Sequence, residues 1–150
     1  MSGARFTSIK PKLFDNRIFH EAFVDAAEKV MQDAAKSFTD ATKDWKHKPT
    51  FVGTAKITNK NVAIIIQTDD KIFKFVDEGT KAHIIKPIAP NKVLHWVDKS
   101  GEDRFATIVH HPGYAGAKIS ESVQAIWSGL MPEYFDEALR RTAKETGHAL

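Results

Sequence analysis

No cysteine occurs in the chain, which excludes a disulfide framework, a thiolate nucleophile and any cysteine-ligated zinc or iron–sulfur centre. A reducing compartment fits that absence. Long apolar runs are missing as well. The longest is Val62-Ala63-Ile64-Ile65-Ile66, far short of the roughly 20 residues of a membrane-spanning helix. The opening Met1-Ser2-Gly3-Ala4-Arg5-Phe6 lacks the apolar stretch of a signal peptide, so the expectation is a soluble, unexported protein with no membrane partner. Runs of like charge are absent too. Lys and Arg exceed Asp and Glu by 2 in the first fifty residues and by 3 in the second, and fall short by 2 in the third. Lys56, Lys60, Lys71, Lys74, Lys81, Lys86, Lys92 and Lys99 scatter through the middle instead of clustering. A duplex-DNA reader concentrates its cations on one face or helix. Specific nucleic-acid reading is therefore not expected, and only non-specific proximity to nucleic acid is.

Enzymatic signatures are lacking in the same way. There is no G-x-G-x-x-G, no G-x-x-x-x-G-K-[ST], no G-x-S-x-G and no H-E-x-x-H. Asp69-Asp70 and Asp77-Glu78 are carboxylate pairs in sequence only. Acid–base work needs such groups to converge in a cleft with separated pKa values, and the plainer reading is a turn and an element end. Seven histidines raise the question of a metal. His83 and His95 could meet His111 across a sheet, with Asp77 or Glu78 adding a carboxylate. His110 and His111, adjacent in a strand, would point to opposite faces. A metal-dependent hydrolase on His83, His95 and His111 is thus the weaker alternative, and neither a resident metal nor a cofactor is expected.

What is present is a globular composition, 42% apolar and 27% charged, in a chain suited to one domain over 1–150 with a real core. Residues 1–15 read as an extended lead-in, with Phe6, Ile9, Leu13 and Phe14 available to dock on a neighbour. Asp15 or Asn16 suits an N-cap. Phe19, Ala22, Phe23, Ala26, Ala27, Val30, Met31, Ala34, Ala35, Phe38, Ala41 and Trp45 then recur at intervals of three and four, the stripe of a long N-terminal amphipathic helix over 16–44. At 1.5 Å per residue it would be on the order of 40 Å long, more than one small sheet covers, so part of the stripe is expected to face another subunit.

The period then changes. Phe51–Ile57 and Val62–Thr68 read as a hairpin around Thr58-Asn59-Lys60-Asn61. Ile72–Val76 fits either a helical turn or a strand and closes at Gly79. His83–Ile88, Val93–Val97 and Arg104–His110 read as strands, with Pro87 and Pro90 favouring an edge or bend. His111-Pro112-Gly113-Tyr114 has the proline and glycine of a type II turn. From Lys118 the helical period returns, with Ile119, Val123, Ile126, Trp127 and Leu130 on one face. Gly129 and Pro132 allow a break into a second helix carrying Tyr134, Phe135, Ala138, Leu139, Thr142 and Ala143. The expected class is α+β: a long N-terminal helix packed on a small antiparallel sheet, then one or two C-terminal helices.

One stretch carries a resemblance. Phe75-Val76-Asp77-Glu78-Gly79-Thr80-Lys81-Ala82-His83-Ile84-Ile85-Lys86-Pro87, then Leu94-His95-Trp96, then Phe105, Val109 and His111-Pro112-Gly113, resembles the phage head–tail joining family. These are the neck or tail-completion proteins of long-tailed bacteriophages, also labelled minor tail proteins. The chain departs from the family at Tyr114, where a threonine is frequent, and at Ala117–Ser120, the entry to the last helix. The resemblance implies a virion structural protein without catalysis, made in the host cytoplasm and built into the neck. It implies a homo-oligomeric ring, six-fold in most such proteins, between the portal, connector or stopper and the tail terminator or tube, around the channel that DNA traverses. Tail terminator, or another minor tail or capsid protein, is the neighbouring alternative. Two patches must complement each other for a ring to close, and the helix stripe and the loop Gly79-Thr80-Lys81-Ala82 are the candidates. The candidate interface positions are Phe6, Phe14, Phe75, Val76, Glu78, Gly79, Thr80, Lys81, His83, Pro87, Trp96, His111, Pro112 and Gly113.

Overall fold

The computed structural model describes residues 2–9, 17–58, 61–90 and 92–147. Phe14 and the cap pair Asp15 and Asn16 lie outside them. The order of elements is β1 (Ser2–Ile9), α1 (Arg17–Ala41), β2 (Val52–Ile57), β3 (Asn61–Thr68), α2 (Lys71–Glu78), β4 (His83–Ile85), β5 (Leu94–Val97), β6 (Asp103–Ala106), β7 (Val109–His111) and α3 (Ile119–Thr146). The class is α+β, as the sequence implies.

The body is a three-stranded antiparallel sheet in the order β1-β3-β2, with α1 over β2 and β3, and α3 running beside α1 over β1. Register follows from alternation. Phe6 and Ala55 both face Ile64, one from each side. Ala4, Phe6, Val62, Ile64 and Ile66 thereby share the inner face and pack with the helices in one core. Phe19, Phe23, Ala27, Val30, Ala34 and Phe38 supply the α1 side of that core, as the spacing of threes and fours predicts. Phe23 stacks on Phe135 of α3 at 4.3 Å, and Trp127 Nε1 donates to Ser37 Oγ at 3.0 Å.

Three expectations are corrected. The first helix is preceded by a strand, so it is not N-terminal, and residues 2–9 of the extended lead-in pair with β3 as a sheet edge. Phe6 is consequently 2% exposed, a core residue of its own subunit. Phe19, Phe23, Ala27, Val30, Ala34 and Phe38 of the α1 stripe are consumed by the sheet and α3, so only its edge at Ala22 and Ala26 is left to line an open groove. Of the one or two C-terminal helices expected, one forms: α3 runs unbroken through Gly129 and Pro132. Its buried stripe is Val123, Trp127, Met131 and Phe135, four apart, while Ile126 and Leu130 face outward. That continuous stripe on the core outweighs the hydrogen bond that a proline removes from the helix interior.

Candidate interaction surface

The segment between α2 and α3 is built differently from the body. β4 pairs with β7 and β5 with β6, both antiparallel, in nested order, and Thr80 bridges Tyr114 beneath them. Residues 80–117 thus fold back on themselves as a two-stranded ribbon. Its four strands pack on each other and make at most marginal contact with elements of the body. Among the described residues from 78 to 119 none is buried. Yet of the fifteen large hydrophobic side chains exposed on the described chain, nine lie here. They are Ile84, Ile85, Ile88, Val93, Trp96, Val97, Phe105, Ile108 and Tyr114. Exposed apolar side chains scattered singly need no explanation, whereas this concentration marks an interaction surface.

The ribbon's root explains the sequence motif. Asp70 caps α2, its Oδ1 accepting from Phe73 N at 2.7 Å, and Gly79 ends the helix with φ 86° while its N–H donates to Phe75 O at 2.9 Å. Thr80 and Tyr114 then exchange both backbone hydrogen bonds at 2.8 Å. The two strands cross so closely that a Cβ on Gly79 would sit 2.1 Å from Tyr114 O, and one on Gly113 2.5 Å from Thr80 O. Gly113 has φ 88°, the positive value foreseen in His111-Pro112-Gly113-Tyr114. The Tyr114 N–H, however, goes across to Thr80 rather than closing that turn. Only glycine meets both demands, a left-handed backbone and contact with another chain segment.

Asp77 ties this root to the body. Its carboxylate is buried, Oδ2 accepting from Ser2 Oγ at 3.0 Å and Oδ1 from Ser120 N at 2.8 Å, while its carbonyl accepts from Lys118 N at 3.0 Å. One side chain therefore joins β1, the end of α2 and the first turn of α3. Lys118, with φ 53°, offers no side-chain cap of its own, so Asp77 does the capping from across the fold. As the plainer sequence reading has it, the Asp77-Glu78 pair is an element end: Asp77 is inside and Glu78 is exposed.

The histidines separate. His83 and His111 stack at 4.9 Å on one ribbon face, whereas His110 stands opposite Ile84 on the other. His83 Nδ1 donates to Lys81 O at 2.8 Å, and His111 Nδ1 accepts from Gly113 N at 3.0 Å. Both Nδ1 atoms are thereby engaged by backbone. His95 lies in the other strand pair, stacked on Phe105 at 4.7 Å with its Nε2 2.7 Å from Asp103 Oδ1. Among the described residues no three His, Asp or Glu side chains form a group that could hold a metal, and His83, His95 and His111 do not converge. At the ribbon tip, Asp98 accepts from the Ser100 hydroxyl at 2.6 Å, Arg104 Nε at 2.8 Å and Glu102 N at 3.1 Å. These bonds, the Ser100 hydroxyl foremost, hold its carboxyl down at about 2.

Of the remaining candidate positions, Phe75, Glu78, Lys81, His83, Trp96 and Pro112 are exposed, and Val76, Thr80, Pro87 and His111 are half-buried. All belong to the ribbon, its root or α2. The exposed Ile88 and Val97 are not singled out by sequence, and Ile84 and Phe105 enter only through the resemblance, because alternation in a strand is the same whether or not a core lies beneath it. Among the described helices none is long and apolar enough to cross a membrane. No protein-family profile, curated protein or solved structure matches the chain.

Proposed function

We propose that this chain is a structural protein of a bacteriophage neck, assembling into a ring that joins the portal or connector of the filled head to the tail around the DNA channel. Its work in this reading is assembly, without turnover or cofactor. The carrying observation is the ribbon: nine large apolar side chains held on a preformed, core-free strand pair at 80–117. The resemblance in Phe75–Pro87, Leu94–Trp96 and His111-Pro112-Gly113 supplies the neck assignment, and these same residues build the ribbon and its root. A ring repeats one heterologous contact to closure and needs a surface that stays uncovered until a neighbour arrives. Cations spread along the chain without a cluster suit a wall that DNA passes without being gripped.

Sedimentation velocity from micromolar to near-millimolar concentration tests the association. The expected result is a concentration-dependent closed oligomer that Trp96→Ser with Phe105→Ser abolishes while the subunit stays folded. A monomer throughout that range, together with absence of the chain from the neck density of the intact particle, refutes the proposal.

A further inference from the structure

A second surface complements the ribbon in charge. Between α1 and α3 runs a groove of about 480 Å³ with Ala22, Ala26 and Ala138 in its lining. Around it stand four carboxylates and two cations, but most of these are satisfied locally. Glu21 pairs with Arg17 at 2.8 Å, Glu137 with Arg141 at 2.9 Å, and Lys29 with Asp33 at 3.1 Å. Among the described residues, the groove charges left without an ion pair are Asp25 and Glu145, both negative. The ribbon is the mirror case. Its acids Asp98 and Glu102 pair with Arg104, and Asp103 pairs with His95. Those left unpaired among the described residues are Lys81, Lys86, Lys92 and Lys99, all positive.

We infer that the outer end of the ribbon, residues 94–106 with Lys92 beside it, seats in the α1–α3 groove of a second copy of this chain. This rests on the reading that the ribbon mediates self-association, and it names the surface that receives it. Val97 and Phe105, which share one ribbon face, would meet the alanine floor, with Trp96 on the opposite face, and Lys92 and Lys99 would meet Asp25 and Glu145. The two surfaces are different patches of one subunit, so the contact is heterologous and can be repeated around a ring. Complementary unpaired charge at such a rim sets orientation and excludes the ribbon-to-ribbon alternative, in which like charges face each other.

A charge exchange tests it. All four residues are exposed, so Asp25→Lys with Glu145→Lys, and separately Lys92→Glu with Lys99→Glu, should melt within a few degrees of the parent. Each double variant alone is expected to remain monomeric where the parent is oligomeric. Mixing the two should restore an oligomer in which they alternate, because each ribbon then finds a groove of opposite sign. Cross-linking can report the contact directly, since the chain has no native cysteine. Ser100→Cys on one population and Ala22→Cys on another should join on mild oxidation at least tenfold faster than either alone. If the charge variants associate like the parent, or if Ser100→Cys joins mainly to itself, the groove assignment is wrong while self-association stands. If the parent itself never associates, both readings fall together.

Discussion

Replacing Phe6 and Phe105 by serine separates folding from assembly in one experiment. Phe6 is 2% exposed against Ile64 and the helices, whereas Phe105 is 65% exposed and stacks on the ring of His95 across the ribbon. Truncating a buried phenylalanine costs about 3–5 kcal/mol through lost burial and the cavity left behind. A serine hydroxyl stranded in that cavity adds about 1 kcal/mol or more. Phe6→Ser should therefore lose about 4–6 kcal/mol, a large part of the roughly 5–15 kcal/mol that holds an ordinary domain together. For a chain of this length that is a fall of roughly 10–20 °C in Tm.

Phe105→Ser should stay within about 1 kcal/mol of the parent, the range of surface substitutions, and should lose association instead. Urea unfolding followed through tryptophan fluorescence suits the measurement, because Trp127 is buried in the core and Trp96 stands on the ribbon. The reasoning fails if Phe6→Ser costs less than about 1 kcal/mol, or if Phe105→Ser proves the more destabilising of the two. Either result would mean that β1 is not part of the core or that the ribbon is.

Gly79→Ala should cost about 2 kcal/mol or more, since strain at φ 86° is joined by a Cβ 2.1 Å from Tyr114 O. Gly101→Ala, at φ 85° with open space around it, should cost about 1 kcal/mol confined to the ribbon tip; hydrogen exchange at the Thr80 and Tyr114 amides distinguishes the two. Asp77→Ala leaves the Ser120 amide unsatisfied and should lower stability by about 2–4 kcal/mol, whereas Asp77→Asn keeps one acceptor and should lose roughly half as much in urea midpoint. The Asp98 carboxyl is depressed to about 2, so the order it lends to the tip is complete above its unfolded value of about 4 and lost as pH falls through about 2. Amide shifts of Ser100 and Glu102 should follow that window, and a midpoint near 4 would contradict the bonds drawn to Asp98.

Much of the body is legible in the sequence because it obeys simple periods. The α1 stripe and the β2–β3 hairpin follow from spacing alone. Residues 2–9 escape for want of signal: only Ala4 and Phe6 mark the inner face, and their partner strand β3 lies some sixty residues away. Ile72–Val76 stays ambiguous until Phe73 is seen at the centre of an aromatic cluster, 5.0 Å from Phe51 and 6.0 Å from Phe38. Pro132 misleads for the opposite reason, as local propensity there is overruled by the four-residue stripe on the core. The motif around Gly79 and Gly113 is visible as turn chemistry, but the crossing of the two segments is a tertiary fact. Nor does any pattern announce that the ribbon strands have solvent on both faces.

That last property bears on how such a subunit could associate at all. An isolated two-stranded ribbon is marginal in water, and one carrying this much apolar surface invites edge-to-edge aggregation. Here the ribbon is anchored at its root by paired Thr80–Tyr114 bonds, by glycines that admit only one crossing, and by Asp77 tying that crossing to β1 and α3. Its strands are already paired before any neighbour arrives, so binding need not bear the ordering entropy of a loose segment. The lysines along it discourage pairing with another ribbon, as charged edges do elsewhere. An apolar surface presented in one fixed direction, and guarded against its own kind, is suited to a receptor of different shape and opposite charge. Loosening the root should therefore weaken association even where every apolar side chain on the ribbon is kept.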